Sequence, residues 1–271
     1  MDNRRICLNI SHSTSNSKKN HRSFYLVKNN NTTGYKDEAI KLLIKLGVFL
    51  LMIQNSIVAH AAGPIMHAYL GLRWIETNGT EFDSDEKRAF ILGTLFPDIR
   101  YLADIPREKT HFDVKTLAQV RKGKNAFEQG MRFHSYVDHK RTQYYHTHKI
   151  YAESRKLPKK HREIFIKLVE DQITYKMNAK EEWDTIKSYL SEIIKEEENW
   201  VDRATLTKWH LGLTFYFNTL PSTLLSQISM FRQGVLMLEA DTISEWSYSV
   251  KNVAGDPRYQ AYVQDLIGSF E

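Results

Sequence analysis

Histidine and aspartate recur in this chain at spacings that suit a metal ion. Within the stretch Gly130 to His139, His134 and Asp138 stand four residues apart. In a helix they share one face, one turn apart. An imidazole and a carboxylate so placed can grip the same ion. The same pair can also form a plain helical hydrogen bond with no ion between them. Other residues of the same types lie along the chain: His67 just after Pro64, Asp98 directly after Pro97, and His111 thirteen residues beyond Asp98. His146 and His148 follow the central stretch, and Glu170 and Asp171 interrupt an apolar segment. Imidazole and carboxylate suit zinc. With one coordination position open, zinc lowers the pKa of a bound water and makes hydroxide at neutral pH, and two ions a few ångströms apart clamp a phosphate oxygen.

These residues need elements to bring them together, and the sequence supplies helices. Ile65, Tyr69, Leu72, Trp74 and Ile75 recur with a helical period, Pro64 suits the first turn, and Asn78-Gly79 stops the run. Ser84 reads as the cap of a second helix running through Phe90 to Phe96. Pro97 ends it and places Asp98 at a sharp boundary, where a carboxylate can face a cleft or simply make a turn. Residues 99–110 read as a loop closed by His111. A helix from Asn125 to about His139 carries the central pair, and the His-rich segment after it reads as polar, without one helix face. Lys159 to Met177 is amphipathic, with Ile164, Phe165, Leu168, Val169 and Ile173 as its stripe. Glu170 and Asp171 in its middle read as a solvated edge or as metal ligands.

Further helices are expected over Glu181 to Asn199, Thr205 to Leu220, Ser222 to Leu238 and Tyr259 to Phe270. The run Glu196 to Glu198 reads as a solvated face. Strand signals are nearly absent and no repeat has a fixed period. The expected fold is all-α, a single bundle-like domain of about eight helices with the metal site in its core.

The chain has 271 residues and a net charge of +6, and the charge is unevenly spread. Residues 1–61 hold nine Lys/Arg against three Asp/Glu; the other 210 residues hold 29 of each. The domain is therefore neutral, and overall basicity makes no case for nucleic acid. Residues 1–38 are rich in Asn, Ser, Thr and Lys and read as disordered. A basic flank, the apolar run from Leu46 to Ile53 continuing to Val58, and the small-x-small Ala59-His60-Ala61 have the order of a secretory signal. A membrane anchor is the competing reading, although Gln54, Asn55 and Ser56 interrupt the apolar run. Cleavage after Ala61 would divide the chain into a leader, 1–61, and an exported domain, 62–271, secreted or held at the cell envelope. It would also remove Cys7, the one cysteine, so stability would rest on packing or bound metal.

Taken in order, five elements resemble the zinc-dependent phospholipase C and single-strand-specific nuclease superfamily, and its bacterial phospholipase C branch in particular. They are Gly63-Pro64-Ile65-Met66-His67, Leu92-Gly93-Thr94-Leu95-Phe96-Pro97-Asp98, Thr110-His111-Phe112, His134 and Asp138. The resemblance covers about residues 62–140. It implies an all-helical secreted enzyme with clustered zinc ions. It also implies that the α-amino group and carbonyl of Ala62, freed by cleavage, bind one zinc with His67. Asp98, His111, His134 and Asp138 would hold a second zinc, with Asp138 as the bridge and Asp98 as the catalytic carboxylate. The family's third zinc uses a His soon after the bridging Asp, then a His and an acid four later on another helix. Here Tyr144 stands at the first place and His161 is followed by Phe165. His148 (or His146) and Asp171 (or Glu170) are the nearest substitutes. Two zinc ions are expected, and a third if those residues join.

The activity so implied is a phosphoester hydrolase of the phospholipase C type, acting on a phospholipid or another phosphoester, with contact to a membrane surface and no protein partner. On charge alone Arg100 or Arg107, after Asp98, could help hold a phosphate, with a plain surface role as the favoured reading. A neutral domain suits lipid better than polynucleotide. The alternatives are a single-strand nuclease or nucleotidase on the same scaffold, and a metal-stabilised exported protein without catalysis.

Overall fold

The helix that carries His134 and Asp138 starts where its cap dictates. Asn125 accepts the Glu128 N–H at 2.8 Å, and the helix runs from Ala126 to His148. It therefore continues well past His139: nothing between Lys140 and His148 breaks a helix, so the His-rich segment forms its last turns instead of a loop. The computed structural model describes residues 61–79, 81–151, 158, 161–229 and 240–270. The segment read as a leader and secretory signal, with Cys7, lies outside the described residues apart from Ala61.

The main helices are α1 (Pro64–Asn78), α2 (Ser84–Leu95), α3 (Ala126–His148), α4 (Arg162–Met177), α5 (Lys180–Tyr189), α6 (Arg203–Phe217), α7 (Pro221–Ser229), α8 (Ala240–Ala254) and α9 (Pro257–Gly268). Short helical turns link them. Among the described residues there is no strand, and no helix is long and apolar enough to cross a membrane. The fold is all-α in one helical domain, as the periodicity indicates.

Local chemistry moves several boundaries. The cap of α2 is Asp83, not Ser84: its carboxylate accepts the Asp85 and Glu86 N–H groups, both at 2.9 Å, and Glu86 answers in a capping box. Residues 99–110 are not a plain loop. A 3-10 turn over Phe96–Ile99 and helical turns over Arg100–Ala103 and Arg107–Thr110 fill the span. The helix expected over Glu181 to Asn199 stops at Tyr189, and a separate turn covers Lys195–Glu198. Glu197 in that turn is buried, so the acidic run is not simply a solvated face.

The α2–α3 crossing fixes the site. A Cβ on Gly93 would lie 2.2 Å from the Phe127 carbonyl oxygen, and one on Gly130 would lie 2.1 Å from that of Phe90. Glycine at both places lets the two backbones touch. On one side of this contact Trp74 stacks on Phe90 (centroids 4.6 Å apart), with Phe133 against both. On the other side the C-terminal end of α2 is set against His134.

Candidate metal centre

Thr94, at the end of α2, turns its carbonyl to α3 and accepts a hydrogen bond from His134 Nδ1 at 2.9 Å. A carbonyl only accepts, so Nδ1 carries the proton and the neutral ring keeps its lone pair on Nε2. That nitrogen is 3.5 Å from Asp138 Oδ2 on the next turn. His67, on the first turn of α1, stacks on the His134 ring at 3.8 Å and 11° and places Nε2 3.2 Å from Asp138 Oδ1. The backbone N–H of Ala62 donates to the same Oδ1 at 3.0 Å. Asp138 thus takes both histidines and the start of the domain.

A second group adjoins the first through His134. The 3-10 turn started by Pro97 aims Asp98 inward, and His111 closes the following excursion. His111 Nε2 lies 4.0 Å from Asp98 Oδ1, and its ring meets that of His134 edge-on at 5.0 Å. The Thr110 hydroxyl donates to the Arg107 carbonyl and faces His111 Nδ1 at 3.0 Å. With its proton on Nδ1, toward that hydroxyl, the ring would keep the Nε2 lone pair toward Asp98. Ser135 ties the strand-like stretch after His111 to α3 by accepting the Phe112 N–H at 2.9 Å.

The two groups, His67–His134–Asp138 and Asp98–His111–His134, each bring one ligand atom per residue within 4.8 Å of the others. Their electrostatics leave a gap that a cation fits. Burial, reinforced by the neighbouring His67, lowers His134 to about 4. Burial, with His134 beside it, lowers His111 to about 3. Both rings are neutral near pH 7. Burial alone would raise Asp98 and Asp138; the imidazole of His134, with Lys167 for Asp98 and His67 for Asp138, outweighs it and holds both carboxyls below their ordinary value. The neutral His134 ring therefore turns a lone pair toward Asp138, with no proton between them. His67 Nδ1 and Nε2, His111 Nε2, His134 Nε2 and Asp138 Oδ2 are buried without an aligned hydrogen bond. Unsatisfied polar atoms are costly in a protein interior. Borderline nitrogen and oxygen donors aimed at one space fit zinc.

The remaining residues singled out in the sequence stand elsewhere. His148 is exposed at the end of α3 and stacks on Tyr144 at 3.9 Å, so it belongs to neither group. Asp171 is fully buried, not on a solvated edge, and it also lies outside both groups. Its carboxylate caps α1, accepting the Met66 N–H at 3.0 Å, the Ile65 N–H at 3.4 Å and the Tyr216 hydroxyl at 2.7 Å. Glu170 beside it is bonded to buried Arg141 at 2.9 Å. These hydrogen bonds engage both acids away from the two groups, while Glu170 Oε1 is buried without a partner.

Sequence reasoning missed four contributors. The Thr94 carbonyl has no side-chain signal. Thr110 and Ser135 are unremarkable until the fold places them. Lys167 stands one turn before Asp171; burial pulls its ammonium below its ordinary value, against the charges of Asp98 and Asp138.

The centre opens to solvent through a cleft of about 290 Å³, whose lining includes Ala61, Arg107, His111, Phe112, Ser135, Asp138, His139 and Thr142. Ser135, Asp138, His139 and Thr142 follow an i, i+3, i+4, i+7 series, one face of α3. Arg107 lines this cleft. Comparison with known proteins supplies no relative: no family model, curated protein or solved structure matches the chain.

Proposed function

We propose that this chain is a zinc-dependent phosphoester hydrolase of the phospholipase C type. One observation supports it above the rest: the buried imidazoles of His67, His111 and His134 present nitrogens without an aligned hydrogen bond to Asp98 and Asp138 beside an open cleft. His67 and Asp138 would hold one ion and Asp98, His111, His134 and Asp138 the other, with Asp138 shared. The Ala62 nitrogen already lies 3.0 Å from Asp138. Cleavage after Ala61 would turn that amide into an amine at the first of these sites. Zinc bound here supplies a nucleophilic water at neutral pH and stabilises negative charge on phosphate oxygens. The protein's own part is to orient the ligands: Thr94 and Thr110 each fix one imidazole, as the partners of metal-binding histidines do. Arg107 at the cleft wall offers a positive charge to a phosphate.

The cleft has room for a phosphate and a small headgroup, and the neutral domain favours a lipid phosphoester over a polynucleotide. Export follows from the leader in this reading. Two ions are proposed, not three, because Asp171 is committed to the α1 cap and His148 is exposed.

Mature protein loaded with zinc should hydrolyse a member of a panel of phosphatidylcholine, phosphatidylinositol, single-stranded DNA and nucleoside monophosphates. Turnover of the nucleic acids alone would move the assignment to a nuclease. Bound zinc with no turnover on any member would leave a metal-stabilised, non-catalytic protein.

A further inference from the structure

We infer that Asp171 is a positioning residue that places the segment Ala62–His67 against the metal centre; the inference rests on the zinc reading above. The segment is held at both ends by carboxylates from different helices. Asp138 of α3 takes the Ala62 N–H, and Asp171 of α4 takes the N–H groups of Ile65 and Met66. These last two are among the orphan donors that open every helix. The N-cap residue, Gly63, has no side chain to satisfy them, and the structure shows no side-chain cap from within α1. A carboxylate at that end also meets the positive pole of the helix.

Gly63 is shaped to this contact. A Cβ there would stand 2.2 Å from Asp171 Oδ2, 2.4 Å from its Cγ and 2.5 Å from Oδ1. The carboxylate cannot swing away at little cost, because the Tyr216 hydroxyl donates to Oδ2 at 2.7 Å and the side chain is fully buried. The residue at 63 must therefore be glycine for the cap to close. The cap sets the height and rotation of α1, and His67 follows Met66 directly. It thereby controls how His67 Nε2 meets Asp138 at 3.2 Å and how the His67 ring meets His134 at 3.8 Å. Asp171 acts through backbone, and Tyr216 acts through Asp171.

The test compares wild type with Asp171→Asn, Gly63→Ala and Tyr216→Phe. Each protein is titrated with zinc against a chromophoric chelator, and hydrogen exchange of the Ile65 and Met66 amides is followed in the metal-free protein. Positioning predicts two zinc ions in every variant. It predicts about 10- to 100-fold weaker binding of one ion and unchanged binding of the other for Asp171→Asn and Gly63→Ala, the range typical of groups that orient ligands. Tyr216→Phe should show a smaller shift in the same direction. The two amides should exchange faster in all three. One zinc fewer in Asp171→Asn would make Asp171 a ligand and overturn the inference. So would faster exchange with both affinities intact. Absence of zinc from wild type would defeat the zinc reading itself, and unchanged amide exchange would then defeat the cap separately. A variant that fails to fold is recognised by its far-UV spectrum, and the remaining two still decide.

Discussion

Two buried histidine–carboxylate clusters occupy this domain, and they are built to opposite ends. At the junction of α5 and α6, His210 Nδ1 faces the Leu190 carbonyl at 3.0 Å and Nε2 faces Glu197 Oε1 at 2.8 Å. The other Glu197 oxygen accepts the Ile194 N–H at 3.1 Å. Both ring nitrogens meet acceptors, and although burial opposes the charge, the bond to Glu197 outweighs it and raises the His210 pKa. At the metal centre the same residue types leave ring nitrogens and a carboxylate oxygen without partners, and two of the imidazoles are pushed strongly toward the neutral form. The first cluster is complete as protein. The second leaves buried nitrogens and an oxygen that a cation would satisfy. Buried histidine beside an acid is thus no signature of a metal by itself; what separates the two clusters is where the protons and lone pairs end up.

The comparison breaks most visibly at Asp138. Asp138→Asn removes the charge shared by His67, His134 and the Ala62 nitrogen. Zinc content should fall toward zero, and phosphoesterase activity by more than the roughly 100-fold cost of losing an orienting group. Elemental analysis and turnover on the best substrate of the panel check this. Metal removal comes next. If free zinc stands about 1,000-fold above its dissociation constant, binding adds about 4 kcal/mol to stability. Chelation should then lower the melting temperature of the zinc-loaded protein by roughly 10 °C. His210→Ala should lower stability with and without chelator and leave that difference unchanged.

Glu197→Gln sharpens the other side. It leaves the His210 imidazolium without its counter-charge and should cost roughly 1–3 kcal/mol at pH 6, with zinc content intact. The sign of the pH dependence follows from the raised folded pKa of His210. The stabilisation is fully present below the unfolded value of about 6.5 and is lost as pH rises through the higher folded value. Denaturant unfolding of wild type and variant should therefore converge above that pH. The smallest effect belongs to His148→Ala. Its ring is exposed and stacked on Tyr144, so stability should move by no more than about 0.5 kcal/mol and zinc content not at all.

The sequence made the all-α fold legible because apolar residues keep a helical period through each long segment. It also made His67, Asp98, His111, His134 and Asp138 legible, since each stands beside a proline, a helix end or its partner one turn away. Two features were out of reach. Whether Asp171 or Glu197 faces solvent depends on what packs across the helix, and neighbours in sequence do not report that. Asp171 lies in an apolar stripe and finds the end of α1, more than a hundred residues back; Glu197 sits in an acidic run and finds His210. The length of α3 was misjudged for a different reason. Polar and aromatic side chains from Lys140 to His148 break the amphipathic pattern, yet nothing in them opposes helical backbone, and the helix continues.

The most direct test of the metal centre is zinc stoichiometry by elemental analysis of the mature protein, beside His134→Ala and His210→Ala. His134 joins both ligand groups and His210 neither. The expected result is two zinc ions per chain in wild type and in His210→Ala, with the ion that His134 holds lost or greatly weakened in His134→Ala. A wild-type protein that binds no zinc, or a His134→Ala protein that keeps both ions, would contradict the assignment of this cluster as a metal centre.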